Sequence, residues 1–169
     1  MKDTTPLVSI IIPCYNVSGY VEKAVTSILK QSYTQLEIFI IDDASTDDTL
    51  QKVKSFKDPR IKIIAFKENT QKVGAVNEVL KKVNGDFIAF QDADDWSDPE
   101  RIMLQIKEFQ NDPELGICFT NYRYVGNKIF LPKKISITNE QLRNEFLNYN
   151  VKREYDNFPT ICGTMMISK

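Results

Sequence analysis

Val8-Ser9-Ile10-Ile11-Ile12-Pro13-Cys14-Tyr15-Asn16 decides how the rest of the chain is read. Its apolar part, Val8 to Ile12, is short, rich in β-branched residues and closed by a proline, the pattern of a buried strand. Tyr20 to Lys30 follows, with Val21, Ala24, Val25, Ile28 and Leu29 on one helical face and Ser18 placed to cap it. The alternation then repeats. Leu36 to Ile41 reads as a second strand ending at Asp42-Asp43, and Thr46 or Asp47 caps a short helix to about Phe56. Ile61 to Phe66 is a third strand, and Val73 to Val83 is a helix ended by Asn84-Gly85. Phe87 to Phe90 is a fourth strand. Asp98-Pro99 supplies an N-cap and a first-turn proline for a helix to about Gln110.

Beyond that helix the signal weakens. Leu115 to Tyr124 reads as a half-exposed strand and Ile129 to Leu131 as a short one. Thr138-Asn139-Glu140-Gln141 is a capping-box signature for a helix to about Tyr149, and Thr164 to Ile167 is a last strand. Strand-helix alternation predicts an α/β, Rossmann-like fold: a mostly parallel sheet with helices on both faces. Such sheets bind ligands beyond the carboxyl ends of their strands. That rule gathers Tyr15 and Asn16 after strand one, Asp42 and Asp43 after strand two, and Asp92, Asp94 and Asp95 after strand four on one rim.

Composition narrows the chemistry. The 169 residues suit one domain, and 22 Lys plus Arg against 23 Asp plus Glu argue against a chain built to grip nucleic acid or an anionic surface. There is no histidine, which excludes imidazole catalysis and His-containing zinc sites within these residues. The six glycines are too dispersed for a G-x-G-x-x-G or a P-loop. Cys14, Cys118 and Cys162 form no C-x-x-C pair; each lies in or beside an apolar run and is expected to be a buried thiol in a reducing, cytoplasmic compartment. The N-terminus lacks a signal-peptide layout, and the longest apolar run is too short to cross a bilayer.

Carboxylates remain. Residues 91 to 100 carry five acids and no base, which repel one another unless a cation sits among them. With no His or Cys nearby, the donor set favours Mg²⁺ or Mn²⁺, ions that bind through one or two carboxylates plus substrate phosphates. The plain alternative is a solvated acidic loop with Asp98 as a helix cap. An EF-hand is excluded by the missing mid-loop glycine and terminal glutamate. Asp42-Asp43-Ala44-Ser45 offers a carboxylate to a base N–H, or only caps a turn, and the Tyr15 ring can pack on a base face. Lys72, after strand three, is placed to meet a phosphate or a base oxygen.

Three segments together resemble the family 2 glycosyltransferases of the GT-A fold. They are Val8 to Asn16, Ile41-Asp42-Asp43-Ala44-Ser45-Thr46-Asp47, and Gly85-Asp86-Phe87-Ile88-Ala89-Phe90-Gln91-Asp92-Ala93-Asp94-Asp95. The resemblance runs from about Leu7 to the end. It implies a nucleotide-diphosphate sugar donor, a UDP-sugar by expectation, and inverting transfer to a glycan or lipid-linked acceptor in bacterial polysaccharide assembly. The expected setting is the cytoplasm, at the inner face of the membrane, with any peripheral attachment made by other parts. By position, Pro13, Tyr15 and Asn16 would line the nucleotide pocket, Asp43 would bind the base and Asp42 would support its loop. Asp92 and Asp94 would be the D-x-D pair, Asp94 the more direct metal ligand and Asp92 also facing the nucleotide. Asn69 and Asn77 match the family's paired asparagines.

Departures are visible. The family often has Gly after the first of those asparagines and Arg before the second; in this chain Thr70 and Val76 stand there, and Lys72 is the candidate substitute for the Arg. In the family a strand like Ile161 to Ile167 precedes a Glu-Asp pair whose Asp is the general base, and this sequence reaches Lys169 without one. The expectation is a single nucleotide-sugar-binding domain over residues 1–169, the donor-binding portion of a longer enzyme, with no catalytic base of its own. Two rivals stand beside it. An aspartate-based phosphotransfer domain would need an acid where Pro13-Cys14-Tyr15 lies; a non-catalytic nucleotide-binding module would not.

Overall fold

A computed structural model describes residues 5–120 and 165–169. In chain order the elements are β1 (Val8–Cys14), α1 (Val21–Leu29), β2 (Leu36–Asp42), α2 (Thr49–Ser55) and β3 (Ile61–Ala65). They continue with α3 (Gln71–Leu80), β4 (Phe87–Phe90), α4 (Arg101–Asn111), β5 (Ile117–Cys118) and β6 (Met166–Ser168). All belong to one compact unit. The six strands form one sheet in the order β3-β2-β1-β4-β6-β5. β3, β2, β1 and β4 are parallel to their neighbours, and β6 is antiparallel to both β4 and β5. The expected α/β, mostly parallel sheet is therefore present, with two short strands added at one side.

β1 and β2 are buried almost throughout, which is why they read as continuous apolar runs. Side chains alternate between the faces. Val8, Ile10, Ile12, Ile38 and Ile40 pack on one face with Val21, Val25 and Ile28 of α1, Val53 of α2, and Ile102 and Ile106 of α4. Ile11, Phe39, Ile41 and Ile88 pack on the other with Ala75 and Val79 of α3. Helices cover both faces, as the alternation requires.

Several local expectations are corrected. Ser18 does not cap α1: Tyr20 precedes the helix with no side-chain cap, and the Ser18 amide donates instead to Asp47 Oδ2 at 3.0 Å. Asp47 does serve α2, its Oδ1 accepting from the Thr49 amide at 2.9 Å. α3 begins at Gln71, so Lys72 is in the helix's first turn and not in the preceding loop. β5 is two residues long, far shorter than the run from Leu115 suggested. Cys118 is half-buried where full burial was expected. The expected strand at 129–131, the helix at 138–149 and Cys162 lie outside the described residues.

Asn84-Gly85 does not end α3, which stops at Leu80. It closes a polar network at the opposite end of the sheet from the ligand rim. Gly85 N donates to Ser9 Oγ at 2.9 Å, and a Cβ on Gly85 would lie 2.5 Å from that oxygen and 2.6 Å from the Ser9 nitrogen. The backbone nitrogen cannot give way like a flexible side chain. Gly85→Ala is expected to cost about 1–3 kcal/mol, seen as a lower urea midpoint; an unchanged midpoint would show that β1 and β4 can spread.

Candidate active site

The strand order places β1 at a switch point: the chain winds from β1 to β2 to β3 in one direction and returns to β4 on the other side. In open α/β sheets the crevice beyond such a point is where ligands bind. The loops after β1 and β4 border it directly, and the loop after β2 adjoins the first of these. Asp43 N donates to the Cys14 carbonyl at 2.9 Å, and Gln91 N donates to the Ile11 carbonyl at 3.0 Å. The topology therefore brings Pro13, Tyr15, Asn16, Asp42, Asp43, Asp92 and Asp94 to one rim.

Backbone strain collects there. Asn16, Ala44 and Gln71 have φ of 51°, 61° and 63°, and they follow β1, β2 and β3 in turn. Left-handed backbone is costly for residues with a Cβ and tends to cluster where a site holds its shape. Asn16 shows how the loops are joined. Its Oδ1 accepts from Thr46 N at 2.8 Å, while its own amide donates to Ser45 Oγ at 3.0 Å. In this structure its side chain therefore binds the β2–α2 loop. Gln71, not Thr70 with φ of −98°, is the position that glycine would suit. Gln71→Gly is expected to gain up to about 1 kcal/mol by removing the left-handed strain, read as a raised thermal midpoint; a lowered one would show that strain relief does not offset glycine's chain entropy.

Asp42 and Asp43 differ sharply. The Asp43 carboxylate is buried, and its Oδ1 accepts from both the Thr70 amide and hydroxyl, at 2.8 and 2.9 Å. That ties the ends of β2 and β3 together. Asp42 accepts from Ser45 N at 3.2 Å through Oδ2, while its buried Oδ1 has no hydrogen-bond partner among the described residues. Burial, followed by the charge of Asp42, pushes the Cys14 thiol up to about 12. Cys14 is therefore a packed thiol and no nucleophile at neutral pH. Tyr15 is half exposed at the rim. Asn69 caps the first turn of α3, its Oδ1 accepting from Gln71 N at 2.9 Å. Asn77 is exposed six residues into α3, about 9 Å of helical rise from its start. Lys72 shares the first turn of α3 with the rim.

The acid loop after β4 is built on buried polar groups. Asp92 is half-buried, whereas Asp94 and Asp95 are exposed. Gln91, buried at 1% exposure, donates from Nε2 to the Asp92 carbonyl at 2.9 Å and accepts from Ser97 Oγ at 2.5 Å. Ser97 N donates to Ser27 Oγ on α1 at 3.0 Å, and Gln31, just after α1, donates to the Asp98 carbonyl at 2.7 Å. Gln31 also accepts from Ile102 N at 3.0 Å. Lys23 Nζ lies 3.0 Å from the centre of the Trp96 ring, a cation–π contact between α1 and the loop. Arg101, at the start of α4, is buried and donates from Nη2 to the Phe90 carbonyl at 3.1 Å.

Sequence reasoning missed Gln91, Ser97, Ser27, Gln31 and Arg101. One signal was present for Arg101: it shares a helical face with Ile102, Gln105, Ile106 and Phe109, all buried. A polar residue on an apolar face needs a partner.

Two carboxylates with neither imidazole nor thiolate beside them suit a hard cation that keeps positions for water and phosphate. No group of three or more His, Cys, Asp or Glu side chains gathers among the described residues, so a cage made by protein alone is not what this rim offers. Nor is any helix among them long and apolar enough to cross a membrane.

Comparison with known proteins agrees with the sheet. The glucosyltransferase WfgD of Escherichia coli, described as UDP-Glc:alpha-D-GlcNAc-diphosphoundecaprenol beta-1,3-glucosyltransferase, is 36% identical over 143 residues, 82% of this chain and 56% of WfgD. S. aureus TarS (1-349) in complex with UDP-GlcNAc aligns with a TM-score of 0.64 at 26% identity, over 75% of this chain and 37% of that one. The mannosyltransferase PcManGT from Pyrobaculum calidifontis, in complex with GDP-Man and Mn²⁺, aligns with a TM-score of 0.62 at 28% identity, over 68% and 35%. The chain thus spans little more than half of WfgD and about a third of those two solved chains. The model of the Glycosyl transferase family 2 matches residues 9–169, and with the GT-A-like sheet this shows that the chain belongs to that family.

Proposed function

We propose that these residues are the donor-binding part of a glycosyltransferase that uses a UDP-sugar and a divalent cation and inverts the anomeric centre. The observation that carries the reading is the convergence of the β1, β2 and β4 loops at the β1/β4 switch point, in a chain of this family. UDP is favoured as the nucleotide because WfgD is named for UDP-Glc and TarS is held with UDP-GlcNAc. The acceptor class, a glycan or a lipid-linked sugar diphosphate, follows WfgD's name in the same way; the proposed setting is the cytoplasmic face of a membrane.

In this reading Tyr15 packs on the base and Asp43, already held by Thr70, accepts from its ring N–H. Pro13 and Asn16 shape the floor of the pocket, Asp42 stiffens the β2 turn through Ser45, and Asn69 and Lys72 border it at the start of α3, while Asn77 lies about 9 Å of helical rise further along that helix. Asp92 and Asp94 would hold Mg²⁺ or Mn²⁺, which would supply positive charge to the diphosphate. Asp92 is half-buried and Asp94 exposed, so Asp92 would be the more constrained of the two ligands. The acceptor hydroxyl's proton is assigned to none of the described residues. Calorimetric titration of UDP into the chain is expected to give at least roughly tenfold tighter binding with Mn²⁺ than with EDTA. Equal affinity in the two would overturn the metal reading, and no binding in either would overturn the donor reading.

A further inference from the structure

We infer that Thr70 is a positioning residue that sets which base the rim accepts. It fills one oxygen of Asp43 and leaves the other as a single acceptor, which suits the one ring N–H of uracil or thymine. The inference rests on the reading of Asp43 as the base contact. Three observations carry it. First, both donors of Thr70 go to the same atom: its amide and its hydroxyl donate to Asp43 Oδ1 at 2.8 and 2.9 Å. A carboxylate oxygen has about two places for donors, so Oδ1 is full. Asp43 Oδ2 accepts from none of the described residues and is not sealed off as Asp42 Oδ1 is, so a ligand at the rim can reach it. Second, Thr70 forgoes an ordinary role. It is the N-cap of α3, where a threonine hydroxyl usually accepts from an amide of the first turn. Its side chain makes no such bond, and Asn69 Oδ1 accepts from Gln71 N instead. Third, α3 leaves this side chain its place. A Cβ on Gly74 would lie 3.2 Å from Thr70 Cβ and 3.4 Å from its Oγ1, tight enough to press on the hydroxyl that faces Asp43.

The bases differ in what they bring to that oxygen. Uracil and thymine carry one ring N–H between two carbonyls, so a single acceptor satisfies it. Guanine sets a ring N–H and an amino group side by side, a pair that a carboxylate takes with both oxygens. With Oδ1 filled by Thr70, one of those donors is left unpaired, which costs its desolvation. Cytosine has a bare ring nitrogen where uracil has its N–H, and two acceptors then face each other. Without the Thr70 hydroxyl, Oδ1 regains a place and the carboxylate can serve two donors. The selection therefore lies in the pair and not in Asp43 alone.

The test measures the affinities of UDP, GDP and CDP by calorimetry, always with Mn²⁺, in the wild-type chain, Thr70→Val, Thr70→Ser and Asp43→Asn. The wild type is expected to favour UDP over each of the others by roughly tenfold or more. Val keeps the shape and the amide of Thr70 but not its hydroxyl, and the UDP-to-GDP ratio is expected to fall by roughly threefold or more. Ser keeps the hydroxyl and should keep the ratio. In Asp43→Asn the two Thr70 donors select the side-chain carbonyl, so an NH₂ replaces Oδ2 and the preference should turn from UDP toward CDP. A residue that only supports the fold would weaken all three affinities together. An unchanged UDP-to-GDP ratio in Thr70→Val, or a wild type that binds UDP and GDP alike, overturns the inference. If Asp43→Asn also leaves every ratio unchanged, the reading of Asp43 as the base contact falls with it, and a wild type that binds none of the three overturns the donor reading. Should the buried Asp43→Asn not fold, the ratio in Thr70→Val, at an exposed position, still decides.

Discussion

Asp94→Ala is expected to bring the ratio of UDP affinities with and without Mn²⁺ to about one, a loss of at least about 1.4 kcal/mol if the wild-type ratio is tenfold. The same variant should leave the thermal midpoint within about a degree of the wild type, because exposed substitutions away from structural contacts usually change stability by less than about 0.5 kcal/mol. The separation of the two effects follows from how the acid loop is made. Its shape depends on Gln91, Ser97, Ser27 and Gln31, whose hydrogen bonds involve the Asp92 and Asp98 carbonyls and none of the Asp94 side chain. Asp94 is exposed at the tip of this scaffold. Its carboxylate is available to a cation and is not needed to fold the loop. Asp92→Ala should erase the same ratio and also lower stability, because Asp92 is half-buried and electrostatically joined to Arg101. A full Mn²⁺ effect in Asp94→Ala would move the metal off this residue. An equal loss of stability in the two variants would show that the loop is held by its carboxylates and not by its buried amides and hydroxyls.

What could be read in the sequence and what could not divide along physical lines. The runs Val8 to Ile12 and Leu36 to Ile41 are legible because a strand covered on both faces must be apolar at nearly every position. Once those strands alternate with helices, the rim follows from topology, which is why Tyr15, Asp43 and Asp92 could be placed together without coordinates. The antiparallel insertion of β6 between β4 and β5 was not legible. Its three residues carry no signature of direction, and both of its partners lie far from it in the sequence. The cap of α1 was misread because Ser18 satisfies the usual residue preference but lies in a turn in which Tyr20 N and Val21 N donate to the Val17 carbonyl, so the helix starts only at Val21. Arg101, Gln91 and Gln31 were hidden for another reason. Polar side chains read as solvent-facing unless the element's apolar face is drawn and they are found on it. At Arg101 that drawing was possible; for Gln91, a single residue after a short strand, there was no periodicity to draw.

Glu37→Ala is expected to destabilise the fold by about 3–5 kcal/mol, a large share of the stability of a domain this size. Glu37 is buried in β2 at the base of the sheet, far along the strands from the donor rim. Its Oε1 accepts from Ser9 Oγ at 2.6 Å, Asn84 N at 2.6 Å and Gly85 N at 3.2 Å, and its Oε2 accepts from Lys62 Nζ at 2.7 Å. One carboxylate therefore joins β1, β2, β3 and the turn into β4. Removing it leaves the Asn84 amide without this partner, at about 1–3 kcal/mol, while the Gly85 amide keeps Ser9 Oγ; the Ser9 hydroxyl and the Lys62 ammonium lose their acceptor as well. The Lys62 pair contributes little on its own, since the lysine is about half exposed and screened by solvent. Burial alone would raise the Glu37 carboxyl, but hydrogen bonds from Lys62, Ser9 and Asn84 outweigh it and bring the group from an ordinary 4.5 to about 2. A carboxyl depressed in the folded state adds stability above its unfolded value and loses it as pH falls toward the folded one. The contribution, about 3 kcal/mol, should thus be complete above about pH 5 and fade between 4.5 and 2. Glu37→Gln cannot ionise, and its amide nitrogen would face Lys62 where a carboxylate oxygen now accepts. Urea denaturation at a series of pH values should show the gap between wild type and Glu37→Gln narrowing across that window. A gap of constant size from about pH 7 down to 2 would show that the network is held by shape and hydrogen bonding alone, with no share from the charge.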